Sequence, residues 1–490
     1  MAPTAEWAAS LEPKHRQPRI ISRVCAEEVQ QELKAARSVV ISEPDWDHLR
    51  RSLFTPDGAE NAAFALCGYF KEGDDFQLLV RKVVDVPLEA YRDRTEYHLD
   101  VSPAFINSLV DLTESKFAIL VMHSHRGGYP PRYSASDNFG EARLLKVFDE
   151  LVPGAPHSSL LFTEGAVIIG RFLKRKRFQP IAEVLVKGRS LRAVGENGRK
   201  GLQGDDGGRY DRQTRAFGDE FQTAIRGLKV GIVGVGGTGS AVAEQLARIG
   251  CQSFVFIDPD KFERSNESRM YGSFSGNHPT EYKTAIVKRH VENINPDVGV
   301  QEIRNSVVSQ KVLESIEDCT VVFGCTDNDW SRSILNRFAY QYLVPVIDMG
   351  ARIVVEHGNV VGASGRVSMI GPGLPCLWCK HHLDSGRIRT ESMADDERVK
   401  LIKEKYIQGS EVKAPSVISL NSTLASMAVT MLLSSIAGFS VVPAEASEQV
   451  YDIMEGVVFR SEVAPNESCT VCGRGGLKGL GMLQRVSGYN

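Results

Sequence analysis

The stretch VMHSHRGGYPPRYSASDN, residues 121–138, carries His123 and His125 one residue apart and then, past a polar turn, Ser134 and Asp137. Alternate residues on a strand share one face, so a strand ending in MHSH sends both imidazoles to the same side. Asp137 can then close a facial triad with them. Two histidines and one carboxylate leave a fourth tetrahedral zinc position open, which is the ligand set of a catalytic rather than a structural site. A carboxylate base would complete such chemistry. Glu60, in AENAAFALCGYF, precedes an apolar run that reads as a strand able to lie beside the metal strand. The competing reading is a strand-end histidine pair satisfied by hydrogen bonds; the added S-x-x-D and the upstream glutamate favour the metal.

A second group of residues follows in VGIVGVGGTGSAVAEQLARIG, residues 230–250, which reads as a strand, a turn and a helix. Gly234, Gly236, Gly237 and Gly239 let backbone amides approach a phosphate at the positive end of that helix. Asp258 ends the next strand, 19 positions after Gly239, where a carboxylate can take the ribose hydroxyls of NAD or of ATP. Asn266, Arg269 and Lys283 follow, and a gathering of cations of this kind clamps a polyphosphate, which favours ATP. A third group is Cys376-Leu-Trp-Cys379 with Cys469-Thr-Val-Cys472, two C-x-x-C pairs able to close a tetrahedral structural zinc; a redox dithiol or core cysteines are the alternatives. Cys25, Cys67, Cys251, Cys319 and Cys325 sit in apolar or helical contexts and read as small hydrophobes.

The elements that must position these groups are legible from composition. With 490 residues, 42% of them hydrophobic and 24% charged, the chain is globular and too long for one ordinary core. Its 58 basic and 61 acidic residues leave a net charge of -3, so no global field would collect nucleic acid or an anionic membrane. Residues 1–20 show no secretory signal, and the cytoplasm is the expected compartment. GENGRKGLQGDDGGR, residues 195–209, holds six glycines and almost nothing apolar, the composition of a linker. Short apolar runs before it, with helices expected over 26–36 and 138–150, describe a small mixed α/β domain over 17–190, then a linker over 191–208. Strand and helix alternate over 209–478, the pattern of a parallel Rossmann-like sheet. Residues 416–444 carry no charge but many serines, and read as a packed helix rather than a membrane span.

The order Glu, H-x-H, S-x-x-D resembles the JAB/MPN (JAMM) metalloisopeptidases. That resemblance implies His123, His125 and Asp137 as ligands of a catalytic Zn2+, Glu60 as acid/base and Ser134 as a donor to the tetrahedral oxyanion. From about Arg209 to Gly473, with SNESR, EYK, GCTDN and the paired C-x-x-C motifs, the chain resembles the ThiF/MoeB and ubiquitin-activating enzyme superfamily. This resemblance implies a fold using ATP and Mg2+, in which the C-terminal glycine carboxylate of a ubiquitin-like protein attacks the α-phosphate and releases pyrophosphate. Asp258 would hold the ribose, Asn266, Arg269 and Lys283 the phosphates, Asp327 the magnesium and reacting centre, and the four C-x-x-C cysteines a structural Zn2+. RYDRQ, residues 209–213, resembles a motif that would send Arg212 into the partner subunit's ATP site, implying a homodimer.

Together these resemblances lead us to expect a cytoplasmic, bifunctional enzyme of a bacterial ubiquitin-like pathway, with bacterial defence as its setting. It would trim or deconjugate a ubiquitin-like protein and adenylate its C-terminal glycine, working with a conjugating-enzyme-like protein. The alternatives are sulfur-carrier activation for thiocarboxylate formation, a dimeric scaffold without catalysis and, last, an NAD oxidoreductase. No cysteine lies between Cys379 and Cys469, so the adenylate would pass directly to a second protein, with the Ser410 hydroxyl as the alternative acceptor.

Overall fold

The apolar run FALC and the run AILVM of the histidine stretch are neighbouring strands buried on both faces. In the computed structural model, which describes residues 37–127, 131–165, 168–193, 208–394, 397–398, 403, 415–439 and 447–484, they belong to a first sheet. Its elements in chain order are β1 (Arg37–Ser42), α1 (Glu43–Leu53), β2 (Ala62–Glu72), β3 (Asp75–Asp85), β4 (Tyr91–Arg94), β5 (Leu99–Val101), α2 (Pro103–Leu112), β6 (Ala118–His125), α3 (Ala135–Leu151), β7 (Ser158–Thr163), β8 (Ile168–Lys174), β9 (Arg177–Pro180), β10 (Glu183–Lys187) and β11 (Leu191–Ala193). The strand order is β11-β10-β1-β3-β2-β6-β7-β8-β9, with β4 and β5 forming a separate ribbon. Alternation sorts the side chains. Ala63, Ala65, Leu120 and Met122 face a core shared with Trp46 and Leu49 of α1, whereas Phe64, Ile119 and Val121 face a core shared with Leu145 and Phe148 of α3. His123 and His125 continue the second set, so both point to the side that α3 covers.

The second sheet begins after two short helices, α4 (Asp211–Phe217) and α5 (Asp219–Arg226). There follow β12 (Lys229–Val233), α6 (Gly237–Ile249), β13 (Ser253–Ile257), α7 (Lys283–Ile294), β14 (Gly299–Ile303), α8 (Gln310–Glu314), β15 (Val321–Gly324), α9 (Asp329–Gln341), β16 (Val346–Glu356), β17 (Asn359–Ile370), α10 (Ser385–Glu391), α11 (Ile418–Ala437), β18 (Glu448–Asp452) and β19 (Val457–Ser461). The order β14-β13-β12-β15-β16 is parallel, as the alternation of strand and helix predicts, and reverses direction across the sheet between β12 and β15. The strands from β16 to β19 pair antiparallel, so the sheet is mixed rather than wholly parallel. Among the described residues α11 is the one helix long and apolar enough to cross a membrane. Leu420, Leu424, Ala425, Ala428, Val429 and Leu432 nevertheless sit in the core formed with α6, the packed-helix arrangement.

Two sequence boundaries need correction. Leu191–Ala193, counted with the linker, forms β11 antiparallel to β10, because Leu191 supplies one more apolar side chain to bury. Residues 194–207 of the glycine-rich run, the helix expected over 26–36, Cys25 and Ser410 lie outside the described residues. The chain beyond the last C-x-x-C pair, counted with the second domain only as far as residue 478, also packs on the first sheet.

Both sheets fall within one unit of the chain, residues 35–490. Beyond Cys67, β2 has no β6 residue beside it, and the tail takes that edge: Gly68 N donates to Gly479 O (3.0 Å) and Met482 N to Tyr69 O (3.1 Å). On its other side the tail bonds to the end of α9, Gly479 N to Tyr340 O (2.9 Å) and Gly481 N to Gln341 O (3.0 Å). Arg81 of β3 donates to the carbonyls of Gly476 (3.0 Å) and Lys478 (2.7 Å), and Leu480 is buried in the core with Phe117 and Phe148. Leu343, just past α9, completes a small cluster with Val40, Leu79 and Leu185 of the first sheet. The tail's approach leaves no space for a side chain at position 68. A Cβ there would stand 2.1 Å from Gly479 O. Gly68→Ala should therefore lower unfolding stability by about 1–3 kcal/mol, as overpacking does. Urea denaturation reads the loss, and proteolysis should open the chain between residues 474 and 484 first; an unchanged midpoint would contradict this close approach.

Candidate functional site

The first site is built by the register of two strands and the cap of one helix. In the antiparallel pair of β2 and β6, Ala62 stands opposite His123, so the chain just before β2 runs beside His125 and delivers Glu60 there. Glu60 Oε1 lies 3.5 Å from His125 Nε2. Burial raises the Glu60 pKa above the usual carboxylate range, against the opposing pull of both histidines. Ser134 caps α3: its Oγ accepts from Asp137 N (3.1 Å) while its own N donates to Asp137 Oδ2 (2.6 Å). The S-x-x-D motif is thus a capping box that fixes the carboxylate it presents. It brings Asp137 Oδ1 to 3.5 Å from His123 Nε2 and Oδ2 to 3.3 Å from His125 Nε2. The Ser134 hydroxyl, expected to face an oxyanion, is engaged as the cap and with Ser136 Oγ (2.8 Å).

Among the described residues two clusters could hold a metal ion, and His123, His125 and Asp137 form one of them, with ligand atoms all within 4.8 Å of one another. The buried His123 Nε2 has no hydrogen-bond partner, as befits a ligand atom. Burial alone would lower the His123 pKa, yet the Asp137 and Glu141 carboxylates raise it to about 9. Asp137 is correspondingly held well below the carboxylate range, the histidines outweighing its burial. Glu60, Asp137 and Glu141 surround two imidazoles, with Arg171 the cation paired to Glu141. This surplus of acceptors fits a divalent cation.

The other cluster is Cys376, Cys379, Cys469 and Cys472. Neighbouring sulfurs stand 3.8, 3.7 and 3.5 Å apart, near the edge of about 3.8 Å that a tetrahedron with Zn–S of about 2.3 Å requires, and far beyond a disulfide bond. The two C-x-x-C pairs, distant in sequence, therefore meet as the spacing predicts. Cys67, Cys251 and Cys319 are buried hydrophobes and Cys325 is half-buried.

The glycine-rich turn lies at the carboxyl ends of β12, β13 and β15, where the strand order reverses, the crevice in which open α/β sheets bind ligands. Gly234 has φ +86° and would meet Cys325 O at 2.7 Å if it bore a Cβ, while a Cβ on Gly239 would lie 1.9 Å from Gly234 O. The turn is thereby folded tightly against the loop that carries Asp327, which is exposed. Gly236 is the N-cap of α6 and Gly237 its first residue. Asp258 is buried at the end of β13; its carboxylate accepts from Val235 N (2.9 Å) and Asp260 N (2.9 Å), and burial raises its pKa. Arg269 lays its stem against Gly237, and Lys283, at the start of α7, reaches Asp260 (2.7 Å). Asn266 is buried, its Oδ1 accepting from Glu263 N (2.9 Å), and Arg212 is exposed on α4.

Sequence reasoning missed several neighbours. Asn421 of α11 packs its amide against Gly237, and Asp348, fully buried, pairs with Arg366 (2.7 Å) beside Gly324. Glu141 and Arg171 escaped as well, although Glu141 follows Asp137 by four residues and so shares its helix face, a spacing that could have found it.

The sheet order, the glycine turn and the four-cysteine cluster define a Rossmann-like α/β domain with a cluster able to hold a metal at its end. The chain belongs to the ThiF family, whose family profile matches residues 210–471 and leaves the first sheet uncovered. It is similar to the sulfur carrier protein ThiS adenylyltransferase of Bacillus subtilis, 31% identical over 176 residues, 35% of this chain and 50% of that protein. The molybdopterin-synthase adenylyltransferase of Escherichia coli is 27% identical over 270 residues, 54% of this chain and 96% of that protein. The ubiquitin-like modifier-activating enzyme 5 of Gallus gallus is 30% identical over 169 residues, 32% of this chain and 40% of that protein. The chain thus spans half the length of the first of these relatives and less of the third.

The purified chain should bind two equivalents of zinc. His123→Ala should remove one and Cys469→Ser the other, and the double variant should retain none. Metal analysis by mass spectrometry after dialysis reads this, and a single equivalent lost only with Cys469→Ser would remove the histidine site.

Proposed function

We propose that the chain activates the C-terminal carboxylate of a small ubiquitin-like or sulfur-carrier protein by ATP-dependent adenylation. The observation that carries this reading is the convergence of the Gly234–Gly239 turn, Asp258 and the Asp327 loop in one crevice of a ThiF-family sheet. The first turn of α6 would receive phosphate oxygens on its free amides. Asp258 keeps acceptor capacity beyond its two amide bonds, enough for ribose hydroxyls. Arg269, Lys283 and Asn266 would hold the phosphates against the charge that builds on the leaving pyrophosphate. A carboxylate oxygen of the partner attacks the α-phosphorus, the bond from that phosphorus to the bridging oxygen breaks, and pyrophosphate departs with the electron pair. Asp327 would hold the Mg2+, whose charge offsets that of the phosphates. The exposed Arg212 would act across a homodimer.

The names of the relatives support both partner classes, a sulfur carrier and a ubiquitin-like modifier. Pyrophosphate exchange dependent on the partner tests the activity. Asp327→Ala and Arg212→Ala should each suppress it by about 100-fold or more, and mixed dimers of the two should recover part of the signal. No exchange with any carrier-like protein ending in glycine would end the proposal. A thiocarboxylate on the released partner would select the sulfur-carrier branch, and an isopeptide-linked product the modifier branch.

For the first sheet we propose metal-assisted hydrolysis of an amide at the same carboxyl terminus, a JAB/MPN-like activity that rests on the geometry of Glu60, His123, His125 and Asp137. Zinc would polarise the scissile carbonyl and lower the pKa of a bound water. Glu60, buried and 3.5 Å from His125, is placed to take the proton and return it to the leaving amine. Glu60→Gln should reduce cleavage of a linear fusion after glycine by about 10²–10⁴-fold while zinc stays bound. Full activity in this variant would remove Glu60 from the acid/base role.

A further inference from the structure

We infer that Glu141, locked by Arg171, is the positioning residue that holds His123 with Nδ1–H turned inward and Nε2 free to ligate. The inference rests on the metal reading of the histidine site. His123 Nδ1 stands 3.3 Å from Glu141 Oε1, and His123 Nε2 faces Asp137 on the other side of the ring. An imidazole that bonds a carboxylate through one nitrogen places its lone pair on the other, so the contact selects the tautomer as well as the ring angle.

The carboxylate is itself fixed. Its Oε2 accepts from Ser159 Oγ (2.7 Å) and Arg171 Nε (2.8 Å), and Arg171 Nη2 stands 2.6 Å from the same oxygen. That leaves Oε1 without a hydrogen-bond partner other than the histidine contact. Arg171 is buried with its guanidinium 3.4 Å from the centre of the Tyr133 ring and 3.8 Å from that of Phe178, and it also bonds Asn138. Tyr133 in turn reaches the carbonyls of Ser159 and Ile169 through its hydroxyl. A flexible carboxylate would lose orientation on each ligand exchange; this one is held by two hydrogen bonds and by an ion pair to an arginine that is itself packed against two aromatic rings. The charge also balances, because a second carboxylate buried behind a histidine is unfavourable unpaired, and Arg171 neutralises it.

The helix explains why the pair works as a unit. Asp137 and Glu141 are one turn apart on α3, so the capping box at Ser134 sets ligand and positioning residue together. One face of one helix grips both sides of the same imidazole.

The test uses the full chain, with zinc affinity measured by chelator competition. Glu141→Gln should weaken zinc at the histidine site by about 10- to 100-fold and leave the four-cysteine site unchanged, although the metal-free protein melts earlier because Arg171 loses its buried counter-charge; an unchanged cysteine site shows that the variant is folded when zinc is measured. Wild-type affinity in this variant would overturn the positioning role while leaving the metal site intact. If the wild-type chain itself holds no zinc that His123→Ala removes, the metal reading falls and this inference with it. A variant-free measurement guards against misfolding: ring-nitrogen NMR of the zinc-loaded wild type should show a protonated His123 Nδ1 and a metal-bound Nε2, and the opposite assignment would overturn the inference.

Discussion

The tail that follows the four-cysteine cluster makes one body of two sheets. Its amides and carbonyls are shared between an edge of β2 on one side and the end of α9 on the other, and Arg81 takes two of its carbonyls. A buried backbone needs all of these partners, since each unsatisfied group costs about 1–3 kcal/mol. Glycine at 68, 479 and 481 is what allows chains to approach so closely; at 479 and 481 the φ angles of +62° and +54° demand it as well. The cysteine cluster stands at the start of this tail, so closing a metal there would fix where the tail begins.

In both candidate sites the motif is a backbone device before it is chemistry. The S-x-x-D sequence caps α3, and only because the cap is closed does Asp137 face two imidazoles rather than solvent. The glycine turn between β12 and α6 folds back on the Asp327 loop, and only then do the free amides of α6 and the buried Asp258 face a common crevice. Burial supplies the rest. Glu60 and Asp258 both have their pKa raised by desolvation, so each carboxylate holds a proton more readily than in water, a perturbation that clusters at functional sites.

Features with a local signature were legible. H-x-H on an apolar strand predicts two imidazoles on one face, the glycine run predicts a strand, a turn and a helix, and two C-x-x-C pairs predict one cluster; the geometry has all three. The Glu60 placement was harder, because it depends on a register that pairs residue 62 with residue 123. What stayed hidden was set by contacts without sequence period. Arg171 meets Glu141 from two strands away, and the tail meets β2 from nearly the other end of the chain, so neither leaves a pattern in its own neighbourhood. The strand at 191 was hidden for a related reason: three residues are too few to show alternation beside a glycine-rich run.

The docking also changes how two activities on one chain would cooperate. A glycine-rich linker suggests two freely tethered domains whose sites meet a shared partner at a concentration set by linker length. With Leu343 seated among Val40, Leu79 and Leu185, and the tail bonded to both sheets, the separation between histidine site and glycine turn is set by packing instead. If both proposed activities are present, their spacing would thus be fixed by the packing of the two sheets rather than by the reach of a flexible tether.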